Sequence, residues 1–237
     1  MKEIIKKIIK SLPVDFTRNQ RYDTSTVKIM RQVLKNDSVF VDVGCHKGEV
    51  LDYAIRFAPM GRHYGFEPIP TLHAQLSKNY GAQYLIKNVG LSDHKGTSTF
   101  NYVVSNPAYS GIKKRSYPGE EEVEEITIDI DTMDSQLSEA THVDLIKIDV
   151  EGGEYGVLMG AKGIITKYQP VIIFEFGLGA SDHYGTSSDQ IWDFFNSLNY
   201  GVYTLKGFLN QSEAITKADL EKIYKSNTEY YFTAKPL

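Results

Sequence analysis

The chain has 237 residues, enough for a sizeable domain with a full hydrophobic core. Hydrophobic residues make up 41% and charged residues 24%, as in ordinary globular proteins. A formal net charge of −4 lacks the basic excess of nucleic-acid-binding proteins, so we expect no nucleic-acid partner. The single cysteine, Cys45, excludes an intramolecular disulfide and a multi-cysteine metal site, and it suits a cytoplasmic location.

The N-terminal segment, MKEIIKKIIKSLP, is basic and amphipathic and lacks the uninterrupted apolar stretch of a signal peptide. It predicts a docking helix or a leader, and contact with an anionic membrane surface stays open. No apolar run reaches the roughly 20 residues of an integral membrane span. Apolar positions from Thr24 to Leu34 recur at helical spacing, so residues 1–36 are predicted to form an N-terminal helical segment. Residues 37–237, without linker or repeat, are predicted to form one domain.

The stretch VFVDVGCHKG, from Val39 to Gly48, begins as a buried strand and ends in a glycine turn. A helical pattern follows from Leu51. Glycines permit a tight turn and close backbone approach because they carry no Cβ. A strand that turns through glycines into a helix is typical of nucleotide-cofactor sites in open α/β sheets.

The remaining chain alternates strand and helix patterns, which predicts an α/β fold with a parallel sheet covered on both faces. Two alternating apolar and polar stretches predict a β-hairpin-like insertion around residues 97–130, with a long loop at its tip. The other predicted strands are His63–Phe66, Gln83–Val89, His142–Ile148, Val171–Phe176, Tyr200–Leu205 and Glu229–Thr233.

Carboxylates stand where the predicted strands end, and the carboxyl ends of parallel strands open onto one edge of a sheet. These residues are Asp42, Glu67, Asp149, Glu151 and Glu175. Glu67 can accept hydrogen bonds from ribose hydroxyls, at a spacing that fits NAD and S-adenosylmethionine alike. His46 stands where a dinucleotide fingerprint has a second glycine, and Asp42 would attract a cation. The turn therefore favours S-adenosylmethionine as the cofactor over a dinucleotide.

Five motifs, in order between Val39 and Gly177, resemble those of the FkbM-type S-adenosylmethionine-dependent methyltransferases. They read VFVDVGCHKGEV, FEPIP, NVGLSDHKG, IKIDVEGGEYGVLMGA and VIIFEFG. The resemblance implies a class I methyltransferase (Rossmann-like) fold, with a seven-stranded, mostly parallel sheet and an antiparallel last strand. It also implies a set of cofactor-binding residues: Asp42, Gly44, Cys45, His46, Gly48, Glu67, Pro68, Asn88, Val89 and Asp149. The sequence departs from the family pattern at Cys45 and His46, and at Gly90.

Within this assignment Asp42, Gly44 and Gly48 would line the methionine part of the cofactor. Glu67 would hold the ribose and Asn88 would lie beside the adenine.

The family mostly methylates hydroxyl oxygens of sugars, glycolipids and polyketides, so the resemblance implies a small-molecule or glycan hydroxyl acceptor. An alcohol is a weak nucleophile, and a general base assists its attack. Asp149 and Glu151 are the first candidates for this catalytic role, with Glu175 and His183 in reserve. The alternative for Asp149 and Glu151 is that they only position the cofactor and a helix N-terminus.

No third ligand stands at a persuasive position beside Asp149 and Glu151, so we predict that no metal is required. The long loop of the insertion offers Tyr109, Lys113, Lys114 and Arg115 as candidates for acceptor binding.

Two other functions stay open on the sequence. The same cofactor could serve methyl transfer to nitrogen or a carboxylate, although IDVEGG replaces the Asn/Asp-Pro-Pro-aromatic signature of amine methylation. An NAD(P) oxidoreductase or a non-catalytic cofactor-binding scaffold would need a phosphate-binding glycine turn, which this sequence lacks.

Overall fold

The computed structural model describes residues 17–114 and 119–237. The basic amphipathic segment at residues 1–13 and Arg115 of the insertion lie outside the described residues. No helix in the described ranges is long and apolar enough to cross a membrane.

Helix α1 (Arg18–Val33) is capped by Thr17 and begins six residues before Thr24, the start predicted from the apolar spacing. Thr17 and Gln20 form a capping box, in which each backbone N–H is bound by the other residue's side-chain oxygen. The apolar face of α1, with Ile29 and Met30 fully buried, packs with Leu51 and Phe208 in one cluster. The division of the chain at residue 36 stays a prediction.

Ten strands and eight further helices follow α1 in the described residues. The strands are β1 (Phe40–Val43), β2 (His63–Phe66), β3 (Tyr84–Lys87), β4 (Gly90–Leu91), β5 (Gly96–Val103), β6 (Val123–Asp131), β7 (Leu145–Ile148), β8 (Val171–Glu175), β9 (Tyr200–Thr204) and β10 (Tyr231–Pro236). The helices are α2 (Leu51–Phe57), α3 (Pro70–Tyr80), α4 (Met133–Gln136), α5 (Glu154–Met159), α6 (Lys162–Tyr168), α7 (Ser188–Ser197), α8 (Leu205–Leu209) and α9 (Lys217–Ser226). Short 3₁₀ helices cover Pro107–Tyr109 and Ser181–Tyr184.

The main sheet has seven strands in the order β3-β2-β1-β7-β8-β10-β9. The pairs from β3 to β8 are parallel, whereas β10, the last strand of the chain, runs antiparallel to β8 and β9. Successive residues of a strand point to opposite faces, so Val41 and Ile146 enter one buried cluster while Phe40 and Leu145 enter the other. The predicted sheet, with its antiparallel last strand, is confirmed.

The predicted insertion is also confirmed as an antiparallel pair, in which β5 and β6 run in continuous register. The short strand β4 pairs with β6 and completes a second, three-stranded sheet. Phe100 and Ile128 of this sheet pack with Ile69 and Leu72 at the start of α3. The insertion is thereby attached beside the carboxyl end of β2.

The structure differs from the predicted elements at two places after β7. The apolar residues Val157, Leu158 and Ala161 are spaced as on one helix, but the structure has two, because α5 ends at Met159 and α6 begins at Lys162. The strand predicted to run to Leu205 ends at Thr204, whose hydroxyl accepts a hydrogen bond from Gly207 N at 3.0 Å. This cap starts α8, a helix that the apolar pattern did not indicate.

Candidate active site

The glycine turn after β1 lies against the two neighbouring strands. Gly44 has φ +83°, and a Cβ at this position would stand 2.0 Å from the backbone oxygen of Asp149. Gly44 N and Cys45 N both donate to the carbonyl of Phe66, at 3.0 and 3.2 Å. Gly48, at φ +81°, lies against side chains of α3. The turn therefore needs glycine at Gly44 for close approach to β7.

Two adjoining cavities open at this edge of the sheet and share Gly44, Pro68, Phe100 and Val150 in their walls. We call them the small cavity, of about 240 Å³, and the large cavity, of about 620 Å³. The small cavity has mainly apolar walls, including Val43, Phe66, Val89, Leu91, Ile112 and Ile128, with Ser92, Asp93, Tyr155 and Tyr184. The acidic residues in the wall of the large cavity are Asp23, Asp42, Glu49, Glu67, Asp149, Glu151 and Glu175.

Lys147 joins two of these carboxylates from its position on β7. Its Nζ lies 3.2 Å from Asp149 Oδ2 and 3.6 Å from Asp42 Oδ1. Burial disfavours the lysine's charge, but the attraction of Asp149 and Asp42 outweighs burial and raises its pKa. Lys147 was not among the residues predicted for the site.

Asp42 is 1% exposed, and its Oδ1 has no hydrogen-bond partner within the described part of the chain. Burial raises the pKa of Asp42 to about 6, although Lys147 works in the opposite direction. A buried carboxylate oxygen without a hydrogen bond is costly. Because Asp42 also lines the large cavity, a cationic ligand there would add a favourable charge interaction.

The three predicted catalytic carboxylates, Asp149, Glu151 and Glu175, come together: each offers an oxygen within 4.8 Å of the others. Tyr231 on β10 donates its hydroxyl to Asp149 Oδ2 at 2.6 Å. Burial works to raise the pKa of Asp149, but Lys147, Tyr231 and Glu175 outweigh burial and lower it. Asp149 is therefore held as an anion, which makes it a weak proton acceptor.

The statement that no third ligand stands beside Asp149 and Glu151 is wrong, because Glu175, predicted only as a reserve catalytic residue, brings a carboxylate oxygen within 4.8 Å of theirs. A group of acidic side chains is common without a metal, and one of the three charges, that of Asp149, is offset here by Lys147. Metal independence itself stays a prediction.

Glu67 is 3% exposed and lies at the carboxyl end of β2, in the wall of the large cavity. Its two oxygens accept hydrogen bonds from His46 N at 2.8 Å and from Ile69 N at 2.9 Å. Burial raises the pKa of Glu67 to about 7, against the effect of these two donors. Glu67 therefore connects the glycine turn to the start of α3 at a point where a ligand can reach its carboxylate.

A buried glutamate that was not predicted for the site shapes the turn after β7. Glu154 Oε1 accepts hydrogen bonds from Val150 N at 3.0 Å and from Gly152 N at 3.1 Å. Between these donors Glu151 adopts φ +59°, which is uncommon for a residue other than glycine. Glu154 thus holds the backbone that carries Glu151, and its signal in the sequence was the last letter of IDVEGGE.

Some predicted residues lie elsewhere. Asn88 does not line either cavity, and its amide donates to the carbonyls of Glu67 and Pro68, each at 2.9 Å. His183, Lys113 and Lys114 also lie outside both walls. Other predicted residues do line a cavity: Gly44, Cys45, His46, Pro68 and Val89. The large cavity also has walls that were not predicted, from α1 and from the tyrosines Tyr22, Tyr230 and Tyr231.

The sheet order and the site at its carboxyl edge define a class I methyltransferase fold. A structure of an FkbM methyltransferase from Methylobacillus flagellatus aligns with a TM-score of 0.53 at 15% identity, over 98% of this chain and 60% of that one. A precorrin-6y C5,15-methyltransferase from Geobacter metallireducens aligns with a TM-score of 0.50 at 13% identity, over 96% and 94% of the two chains.

Residues 42–202 match the family model of the methyltransferase FkbM domain, and this is more than half of the chain. The chain therefore belongs to the FkbM methyltransferase family.

Two curated relatives differ in how much of their length is matched. The 2-O-methyltransferase NoeI of Sinorhizobium fredii is 25% identical over 177 residues, which are 65% of this chain and 71% of that protein. The AMB antimetabolite synthetase AmbE of Pseudomonas aeruginosa is 30% identical over 165 residues, which are 54% of this chain but 8% of that protein.

Proposed function

We propose that this protein is an S-adenosylmethionine-dependent O-methyltransferase that acts on a hydroxyl of a sugar, glycolipid or polyketide-like acceptor. The observation that carries the proposal is Asp42, a buried carboxylate in the wall of the large cavity between the glycine turn and Glu67. Its Oδ1 makes no hydrogen bond within the described residues, although Lys147 lies 3.6 Å away as an ion-pair partner. A ligand with a cationic group and neighbouring hydroxyls supplies the donors that both carboxylates can accept.

The residues present fit this cofactor. Asp42 would bind its ammonium group, Glu67 its ribose hydroxyls, and the turn from Gly44 to His46 would line its methionine part. The small cavity, with apolar walls that include Val89, suits a flat base. When bound, S-adenosylmethionine supplies an electrophilic methyl group, and its positive charge suits an acid-rich cavity.

The acceptor would occupy the part of the large cavity that faces α1 and the tyrosines. Tyr22, Tyr230 and Tyr231 supply rings for contact with a sugar-like surface. Their hydroxyls already donate to protein acceptors, namely Glu229, Asn19 and Asp149. Glu151 or Glu175 would take the proton that the acceptor hydroxyl loses, because the lowered pKa of Asp149 makes Asp149 the weaker base. The printed name of the relative NoeI, a 2-O-methyltransferase, supports an oxygen acceptor.

The first test is calorimetric titration of the protein with S-adenosylhomocysteine and, separately, with NADH. We expect the wild type to bind S-adenosylhomocysteine and not NADH. The Glu67→Gln variant should bind S-adenosylhomocysteine roughly tenfold more weakly than the wild type, because a buried charged hydrogen-bond acceptor is lost. Glu139→Gln, in a loop away from both cavity walls, is the control. Binding of NADH without binding of S-adenosylhomocysteine would contradict the proposal.

The second test concerns the acceptor. Incubation with methyl-labelled S-adenosylmethionine and a panel of glycosides should transfer label to a hydroxyl, identified by mass spectrometry. Label found only on an amine or a carboxylate of the panel would replace the proposed O-methylation with the alternative. A cytoplasmic location stays a prediction, based on the single cysteine.

A further inference from the structure

We propose that Tyr184 is a cofactor-binding residue: its ring closes the small cavity over the adenine of the cofactor, and its hydroxyl fastens the insertion against the turn after β7. The inference rests on the proposed use of S-adenosylmethionine. It adds a residue from the 3₁₀ helix Ser181–Tyr184, a segment in which the sequence had indicated only His183.

The ring of Tyr184 packs on the two glycines of the IDVEGGE stretch. A Cβ at Gly152, where φ is +107°, would lie 2.9 Å from Tyr184 Cδ2, and a Cβ at Gly153 would lie 3.6 Å from Cε1. Both glycines line the small cavity together with the tyrosine. At Gly152 the backbone oxygen of Ala180, 2.5 Å from such a Cβ, excludes a side chain together with the ring, whereas the distance at Gly153 is an ordinary contact. Tyr184 therefore packs directly on the turn after β7, beside the cavity.

The hydroxyl of Tyr184 reaches the insertion on the other side. It accepts a hydrogen bond from Lys113 N at 3.1 Å, although the two residues are 71 positions apart in the chain. Ile112, the residue before that donor, lines the small cavity. The Lys113 ammonium lies 5.6 Å from the centre of the ring, which is within the range of a cation–π contact.

The insertion is itself held firmly at this point. Asn101 on β5 forms a β-bridge with Gly111, and its side-chain amide donates to Ile112 O at 3.1 Å. Phe100, the neighbour of Asn101, supplies another wall of the small cavity. The Tyr184 hydroxyl thus joins two walls of the small cavity, one from the insertion and one from the turn after β7. Its loss would loosen both walls around a bound base.

The experiment measures association and dissociation rates of S-adenosylhomocysteine by surface plasmon resonance for the wild type and Tyr184→Phe. The variant keeps the ring and removes the hydroxyl. We expect dissociation to become roughly three- to tenfold faster, with little change in association, as for one lost hydrogen bond. Tyr168→Phe is the matched control, because the Tyr168 hydroxyl also bonds a backbone group, the Ala140 carbonyl, away from both cavity walls.

A second ligand distinguishes the contribution of Tyr184 to binding from that of the contacts with the amino-acid end of the cofactor. 5′-Methylthioadenosine keeps adenine and ribose but lacks the ammonium and carboxylate. Tyr184→Phe should lower the affinity for both ligands by the same factor. Asp42→Asn should lower only the affinity for S-adenosylhomocysteine. Hydrogen exchange of a peptide covering residues 101–114 should also become faster in free Tyr184→Phe than in free wild type.

The outcomes distinguish the two proposals. If the wild type binds S-adenosylhomocysteine while Tyr184→Phe dissociates at the wild-type rate, the role of Tyr184 is wrong and the cofactor assignment stands. If exchange in residues 101–114 is unchanged in the variant, the hydroxyl does not fasten the insertion. If the wild type binds neither adenosine ligand, the proposed function fails, and the role of Tyr184 fails with it.

Discussion

At the scale of single residues, the site is organised by a cluster of charged side chains that are buried together. Lys147 lies between Asp42 and Asp149, and the three side chains are largely buried. Removing one partner of a buried ion pair costs more than the pair itself contributes, because the remaining charge stays desolvated. The central lysine is therefore the residue whose loss should disturb the site most.

We expect Lys147→Met to lower the free energy of unfolding by about 3 kcal/mol at pH 7, since two carboxylates then lack their cation. The loss of unfolding free energy should become smaller as the pH falls, because protonation removes the uncompensated charges of the two carboxylates. Urea denaturation at several pH values measures this. Lys162→Met, on the distant helix α6, is the control, and an equal loss in both variants would contradict the expectation.

Glu67 should make cofactor binding depend on pH. Its pKa is raised to about 7, and its ionised form is the better acceptor for ribose hydroxyls. Affinity for S-adenosylhomocysteine should therefore rise as the pH increases towards 7 and level off above it, with Asp42 adding to the rise around its pKa of about 6. In Glu67→Gln the part of the rise near pH 7 should disappear. Calorimetry from pH 5.5 to pH 8.5 gives the comparison, and identical profiles would exclude the role of Glu67.

The same pKa shift has the opposite effect on stability. A carboxyl group whose pKa is higher in the folded state stabilises the fold at low pH, and this contribution is lost as the pH rises through the folded pKa. The free energy of unfolding of the wild type should therefore fall, relative to Glu67→Gln, between about pH 4.3 and pH 7. Chemical denaturation of the ligand-free protein at these pH values measures the difference, and a constant difference would show that the Glu67 pKa is not raised.

At the scale of elements, the turn from β7 to α5 is shaped by one side chain from the helix that follows. Glu154 is 1% exposed and accepts two backbone N–H groups, which keeps Glu151 in its left-handed conformation. Backbone donors that lose a buried acceptor destabilise the fold, and this turn borders both cavities. A side chain that contacts no ligand thus sets the position of one that is proposed to take a proton.

Glu154→Ala should lower the free energy of unfolding by about 2 kcal/mol, because two buried N–H groups lose their hydrogen-bond acceptor. It should also weaken the binding of S-adenosylhomocysteine. Glu154→Gln keeps an amide oxygen at the same place and should retain most of both properties. Thermal unfolding and calorimetry on the two variants provide the measurement. If the glutamine variant lost as much as the alanine variant, the charge of Glu154 and not its geometry would matter.

At the scale of the whole molecule, the large cavity has a strongly acidic wall. Within the described residues Lys147 is its single lysine or arginine, and that lysine already lies between two carboxylates. The lysines of the insertion, Lys113 and Lys114, do not line the cavity, so their positions do not support the prediction that they bind the acceptor. An anionic group on the acceptor would be repelled by these carboxylates.

We therefore expect neutral or cationic acceptors to be methylated faster than anionic ones. Once a glycoside acceptor is known, kcat/KM should fall by roughly tenfold when its primary alcohol is oxidised to a uronic acid, and the difference should narrow as salt increases. Replacing the same alcohol by an amine is the matched control and should not slow the reaction. Equal rates for the neutral and carboxylated forms at low salt would contradict this.

The sequence alone determined the main-sheet strands in their order along the chain and the acids at the strand ends, because both depend on local patterns. Apolar periodicity located β1, β2 and β8 within about two residues, and the glycines of the first turn marked its sharp bend. The positions of Asp149 and Glu151 at a strand end were predicted from the same kind of local sequence pattern. Asn88 could not be placed in this way, since its side chain points to the carbonyls of another strand end.

Only the tertiary structure decided which charges face one another. Lys147 meets Asp42 because β7 pairs with β1 across more than a hundred residues of sequence, and Tyr231 reaches Asp149 from the last strand. The same holds for Tyr184, whose hydroxyl meets the insertion. Such contacts depend on strand order and on burial, which lowers the dielectric around each charge and so makes its partner decisive. Local periodicity carries no information about either.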